Sequence, residues 1–193
     1  MNFDLSEQQR AFQDAARQFA ADKMAPHAAQ WDEECIFPIE VIQQAGDLGF
    51  CGIYTPENVG GLGLSRLDAS IVFEELAYAC PSTAAYISIH NMACWMVATW
   101  ATPTVRDEWS GLLASGQKLA SYCLTEPNAG SDAASLKTRA ELIEGQYCLN
   151  GAKAFISGAG STDLLVVMAR TGGDGAGGIS AFAVPADSVG ITY

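Results

Sequence analysis

Over residues 1–116 apolar positions recur at intervals of three and four; from Leu119 onward they bunch into short runs separated by turn residues. The first pattern is that of amphipathic helices and the second that of strands. Ser6 and Gln9 form a capping-box pair, and Phe12, Ala15, Ala16, Phe19, Ala20 and Met24 follow at helical spacing until Pro26. Pro38 is suited to a first turn, and Ile39, Ile42, Ala45 and Leu48 predict a short second helix that Gly46 and Gly49 weaken or close. A glycine-rich loop spans Thr55–Ser65. Ser65 with Asp68 opens a third helix, whose buried side is predicted to hold Leu67, Ile71, Val72, Leu76 and Tyr78. Thr83–Trp100 carries no charged residue and reads as a helix that is apolar all round, hence enclosed by other elements. Thr102–Pro103 begins a last helix with Val105, Trp109, Leu112 and Leu113 directed inward.

Seven β-rich runs then follow, at 119–125, 136–141, 147–150, 154–157, 164–169, 179–184 and 191–193. Asn150–Gly151 between two of them is a hairpin signal. The expected architecture is therefore α+β. An all-α domain over 1–116 precedes an antiparallel, barrel-like β domain over 117–193, which stops at a strand beginning and is expected to be incomplete.

Composition narrows the classes. The chain has 193 residues, 49% of them apolar and 17% charged, enough for real cores. Its 22 acids outweigh 10 bases, for a net charge of −12, so neither nucleic acid nor an anionic membrane is an expected partner. Most of the acidity lies in the helical part. Six cysteines without a C-x-x-C pair, and only His27 and His90 as imidazoles, argue against a metal site. Free thiols fit a reducing compartment. The absence of a secretory-type start, and an apolar stretch at 93–101 too short to cross a bilayer, lead us to expect a soluble, cytoplasmic protein.

Two segments could carry chemistry. In Tyr122–Asp132 (YCLTEPNAGSD) Pro127, Asn128 and Gly130 bend the chain so that backbone N–H groups can converge near the Thr125 and Ser131 hydroxyls. That arrangement suits an anionic or carbonyl-rich ligand. An ordinary strand-to-loop turn is the alternative. In Lys153–Gly160 (KAFISGAG) Phe155 and Ser157 would share one face of a strand, an aromatic surface beside a hydroxyl fit for a planar cofactor. Phe155 as a core residue fits the pattern equally. Neither glycine cluster has the strand–GxGxxG–helix setting of a dinucleotide fold. Glu74–Glu75 reads as a solvated helix face, His90 as a hydrogen-bonded core histidine, and Cys123 as packing.

Together with the helical start, YCLTEPNAGSD followed by LNGAKAFISGAG resembles the acyl-CoA dehydrogenase family along the whole chain. GLSRLDASIVFEELA (63–77) and STAAYISIHNMACWM (82–96) are similar to members acting on short branched acyl groups of the isobutyryl type. The resemblance implies an FAD-dependent α,β-dehydrogenation of an acyl-CoA, with electrons passed to an electron-transfer flavoprotein, in a homotetramer of the full-length protein. It implies flavin contacts from Tyr122, Cys123, Leu124, Thr125, Glu126, Pro127, Asn128, Ala129, Gly130, Ser131, Phe155, Ile156 and Ser157, with Ser131 also touching the CoA substrate. The family's base glutamate lies on a C-terminal four-helix domain that this chain is expected to lack, so no catalytic residue is assigned. Asn128 stands where many relatives have glycine. A non-catalytic assembly module, or a flavin oxidase or monooxygenase of the same fold, is the competing expectation.

Overall fold

The computed structural model describes residues 4–193. They divide into two compact units, one ending at Leu119 and the other spanning Ala120–Tyr193.

The first unit contains the helices α1 (Glu7–Phe19), α2 (Ala28–Glu33), α3 (Ile39–Asp47), α4 (Arg66–Ala79), α5 (Pro81–Trp100) and α6 (Pro103–Ala114). The capping box of α1 is closed in both directions, Gln9 N–H donating to Ser6 Oγ at 3.1 Å and Ser6 N–H to Gln9 Oε1 at 3.0 Å. Its stripe of Ala16 and Phe19 continues through Ala20 and Met24 in a wider π turn, Ala20–Met24. The second capping box, Ser65 with Asp68, starts α4. Asp68 also accepts from Gln9 Nε2 at 2.9 Å, and Arg17 grips Glu75 with two bonds of 2.8 and 3.0 Å, so α1 and α4 are tied at both ends. Glu75 thus serves a helix contact while Glu74 is exposed.

Four helical expectations are corrected. The short α2 has no buried residue and no periodic apolar face, which is why the pattern does not announce it. Leu67 and Tyr78 are 62% and 94% exposed, because they fall on the far side of α4 from the buried Ala69–Val72–Leu76 stripe. Leu112, expected inward on α6, is 37% exposed beside fully buried Leu113. Helix α5 is central but not enclosed: Tyr86, Ile87, His90, Asn91, Cys94 and Val97 are buried, whereas Ile89, Met92, Trp95 and Met96 are half-buried and Trp100 is exposed. Lack of charge sets what a face tolerates, not what covers it.

Asn91 is the polar centre of this unit. Fully buried, it donates to the carbonyls of Phe50 (2.7 Å) and Ile87 (2.9 Å) and accepts from Ile53 N–H at 2.8 Å. Two of these three bonds pin the 50–53 segment against α5, and the third returns to α5 itself. His90 Nε2 lies 2.9 Å from the Leu113 carbonyl, a hydrogen-bonded core histidine.

The second unit holds strands β1 (Ala120–Cys123), β2 (Arg139–Ile143), β3 (Gln146–Asn150), β4 (Leu164–Arg170) and β5 (Ile179–Pro185) in the order β1-β4-β2-β3, with β5 also on β4. The antiparallel expectation is corrected to a mixed sheet. β4 runs antiparallel to β5 but parallel to β1, Ala120 opposite Leu164 through Cys123 opposite Val167, and parallel to β2 at Arg139–Arg170. Among the described residues no pairing closes this ladder into a barrel.

The tight hairpin joins β2 to β3 through Glu144 (φ 49°) and Gly145 (φ 84°), not at Asn150–Gly151. Two successive positive φ values give the twist that a two-residue hairpin needs. Asn150 instead ends the ladder opposite Arg139, and Gly151 is required because a side chain there would collide with Thr138. Residues 154–157 and 191–193 form no strand.

Candidate functional site

The two segments singled out above lie side by side in the second unit. From β1 the chain leaves Cys123, passes Leu124 and Thr125, and turns back at Pro127–Asn128. Glu126 and Ala129 close that turn by exchanging both backbone bonds at 3.1 Å. Ala129 is buried, while Pro127, Asn128, Gly130 and Ser131 are exposed. Among the described residues the N–H groups of Asn128, Gly130 and Ser131 enter no backbone bond, which leaves three amide donors on one short exposed stretch.

Glu126 points the other way. Its carboxylate, 7% exposed, accepts from Lys137 N–H (2.6 Å), Thr138 N–H (2.9 Å) and Lys153 Nζ (2.9 Å). Burial works to raise its pKa, but the bonds from Thr138, Lys137 and Lys153 outweigh burial and hold it at about 2. Lys153 Nζ also donates to the Leu124 carbonyl at 3.0 Å, and Ala154 N–H to the Thr125 carbonyl at 2.9 Å. The second segment is therefore laced to the first at three consecutive residues, Leu124, Thr125 and Glu126.

Immediately beyond this lacing stands Phe155. It has φ 56°, a left-handed conformation costly for a residue with a Cβ, and the residue is 95% exposed. The reading of a strand face shared with Ser157 is corrected: this stretch is irregular backbone, since Lys153 is drawn inward and the chain must reverse to go on. The reading of Phe155 as core is excluded by its exposure. Ile156 and Ser157 are half-buried, and the Ser157 carbonyl accepts from fully buried Ser121 Oγ at 2.7 Å; Ser121 in turn meets Thr162 Oγ1 at 2.9 Å.

Beside these segments lies a cavity of about 520 Å³, lined mainly by apolar groups including Cys123, Ile156, Val167, Val184 and Tyr193, with Phe155 at its border. Burial pushes the Cys123 thiol up to about 11, against the nearby charge of Lys153, so it is protonated and unreactive near neutrality. Burial also raises the Tyr122 phenol.

Motif reading missed most of the inward half of this site, Ser121, Thr138, Thr162 and Arg170, and gave Lys153, the first residue of its second segment, no role. Arg170, 6% exposed, gives its guanidinium N–H groups wholly to carbonyls, those of Ala134, Leu136, Gly173 and Gly175. It stitches the end of the 122–136 segment to the Gly172–Gly178 loop. The available signal was a Lys or Arg isolated in an otherwise apolar run, as in AKAFIS and VVMART. No group of three or more His, Cys, Asp or Glu capable of holding a metal occurs among the described residues.

Comparison with known proteins gives this geometry a setting. Residues 6–117 match the acyl-CoA dehydrogenase N-terminal domain and residues 121–193 the acyl-CoA dehydrogenase middle domain. The chain is 51% identical over 189 residues to mitochondrial isobutyryl-CoA dehydrogenase of Bos taurus, covering 98% of this chain and 45% of that protein. Among solved structures, a glutaryl-CoA dehydrogenase in complex with glutaryl-CoA superposes with a TM-score of 0.89 at 33% identity, over 96% of this chain and 48% of that one. An FAD complex of PigA superposes with a TM-score of 0.89 at 29% identity, over 96% and 49%. The chain thus spans about half the length of the relatives it matches. With both of its units matched in order and almost end to end, the chain belongs to the acyl-CoA dehydrogenase family.

Proposed function

We propose that this chain supplies the helical and flavin-facing parts of an FAD-dependent dehydrogenase acting on a short branched-chain acyl-CoA of the isobutyryl type. The observation that carries the proposal is Phe155, an aromatic residue kept 95% exposed on costly backbone next to a turn in which three amides enter no backbone bond among the described residues. A bare aromatic face and directional N–H donors are what a planar, carbonyl-bearing ring system needs. The residues present fit the isoalloxazine of FAD.

Bound there, FAD would supply the capacity to take a hydride equivalent from the acyl group. The chain's own residues hold and orient it. Phe155 and Ile156 offer the apolar wall. The N–H groups of Asn128, Gly130 and Ser131 donate to ring carbonyls or to phosphate. The Thr125 and Ser157 hydroxyls can donate to or accept from ring nitrogens, and Tyr122 to Leu124 back the first segment. Within that set Glu126 acts through its neighbours, because its carboxylate is already engaged within the chain. Contact of Ser131 with the CoA part of a substrate belongs to the same proposal, supported by the exposure of that residue at the end of the turn.

The acyl preference rests on 51% identity to the bovine protein. The electron-transfer flavoprotein as acceptor and a homotetrameric full-length protein belong to the same proposal and rest on family resemblance. As to compartment, none of the six cysteines is disulfide-linked and no helix among the described residues is long and apolar enough to cross a membrane. The bovine relative's name places that protein in mitochondria. A reducing compartment, cytoplasm or mitochondrial matrix, fits these facts.

The test is a flavin titration of the chain, followed by mixing the protein that contains it anaerobically with isobutyryl-CoA. FAD binding and bleaching of the flavin band by the thioester are expected. Binding without bleaching by isobutyryl-CoA or related thioesters would refute the dehydrogenase reading.

A further inference from the structure

Lys153 is nearly buried, 12% exposed at its side chain, and reaches past its own segment to two residues of the other. Its ammonium meets the Leu124 carbonyl and the Glu126 carboxylate, while the next residue, Ala154, binds the Thr125 carbonyl. The residue after that is Phe155, at φ 56° with its ring in solvent. A left-handed phenylalanine with an unsupported ring relaxes toward extended backbone unless its flanks are fixed. On the N-terminal flank the fixing group is the Lys153 ammonium, and on the C-terminal flank it is Ser121 holding the Ser157 carbonyl.

We propose that Lys153 is a positioning residue for the cofactor face: locked by Glu126, it holds residues 153–155 so that the Phe155 ring stands ready for a planar ligand. The inference rests on the flavin reading above for the identity of that ligand, and on hydrogen bonds alone for the positioning. The mechanism is preorganisation. A ring already held in its binding orientation loses little conformational entropy when the ligand arrives, and an unlocked one must be ordered at the expense of affinity. The carboxylate suits the task, since its two backbone N–H bonds keep it in place independently of Lys153.

The experiment compares the full chain with Lys153→Met and Lys153→Arg by native-state amide exchange and by FAD titration. In Lys153→Met the Ala154 amide should exchange faster by about tenfold or more while β4 amides keep their protection, the mark of local rather than global opening. FAD affinity should fall on the order of tenfold, the range expected when preorganisation is lost. Lys153→Arg, which keeps a cation for Glu126, should retain most of both, and it serves as the reporter if Lys153→Met does not fold. Unchanged Ala154 exchange, or a loss of protection shared equally by β4, would overturn the positioning role. Faster Ala154 exchange with undiminished FAD binding would overturn its link to the cofactor. Failure of the unmodified chain to bind FAD would count against the flavin reading, while the exchange pattern still decides whether Lys153 positions Phe155.

Discussion

Glu126 and Arg170 show two ways of burying a charge. Glu126 is matched by a cation and two amides, Arg170 by carbonyl dipoles alone. An unfolded glutamate titrates at about 4.3, whereas Glu126 in the fold is held at about 2. Its stabilising contribution is therefore complete above the unfolded value and is lost as pH falls through about 2. Denaturant melts taken between neutrality and pH 2 should show stability dropping across that window, and Glu126→Gln should flatten the drop. For Arg170, removing the guanidinium strands the carbonyls of Ala134, Leu136 and Gly173, while Gly175 keeps its bond from Gly178 N–H. Arg170→Met should cost about 3 kcal/mol in denaturant unfolding, in line with breaking a buried charged network. It should also open the Gly172–Gly178 loop to proteolysis.

At the scale of elements, the loop between α3 and α4 is set by contacts that no local pattern encodes. Leu62 N–H donates to the Gly52 carbonyl and Leu64 N–H to that of Ile53, at 2.9 Å each, and Gly61 leaves no room for a Cβ beside the Thr55 carbonyl. Gly61→Ala should lower stability by about 1–3 kcal/mol, the usual range for overpacking, read as a shift in denaturation midpoint. Asn91→Ala should cost about 3 kcal/mol in the same assay, because it leaves the Ile53 amide and the Phe50 carbonyl buried without partners. What could be read from the chain follows the same divide. Both capping boxes join residues three apart, so Ser6–Gln9 and Ser65–Asp68 were visible at once. The strand runs at 164–169 and 179–184 were visible because alternation and branching are local. The direction of β1 against β4 was not, since nothing near Ala120 specifies that Leu164 will lie beside it in parallel. The candidate site divides likewise: its two segments stand out as local motifs, whereas the contacts that support them, those of Ser121 and Lys153 among them, join residues more than twenty positions apart.

On the scale of the whole molecule, each unit buries apolar residues of its own, Leu136, Leu164 and Val166 among those of the second. The helical unit packs Phe19, Met24, Ile42, Phe50, Leu76 and the α5 residue Ile87 into one core, with Leu119 as its last buried member. A chain ending at Leu119 should therefore keep a helical circular dichroism spectrum and a cooperative thermal transition. Non-cooperative melting would show that its core needs the second unit.

The parallel pairing of β1 with β4 has a consequence in time. Ala120 cannot find Leu164 until the whole intervening stretch, hairpin and Glu126–Ala129 turn included, has been synthesised and looped back. Closing so long a loop before any contact rewards it is slow, whereas the helices form from near neighbours. Folding should thus begin at the amino-terminal half as it leaves the ribosome and finish in the sheet. The Phe155 segment, suspended between β3 and β4, would be among the last parts of the chain to acquire its shape.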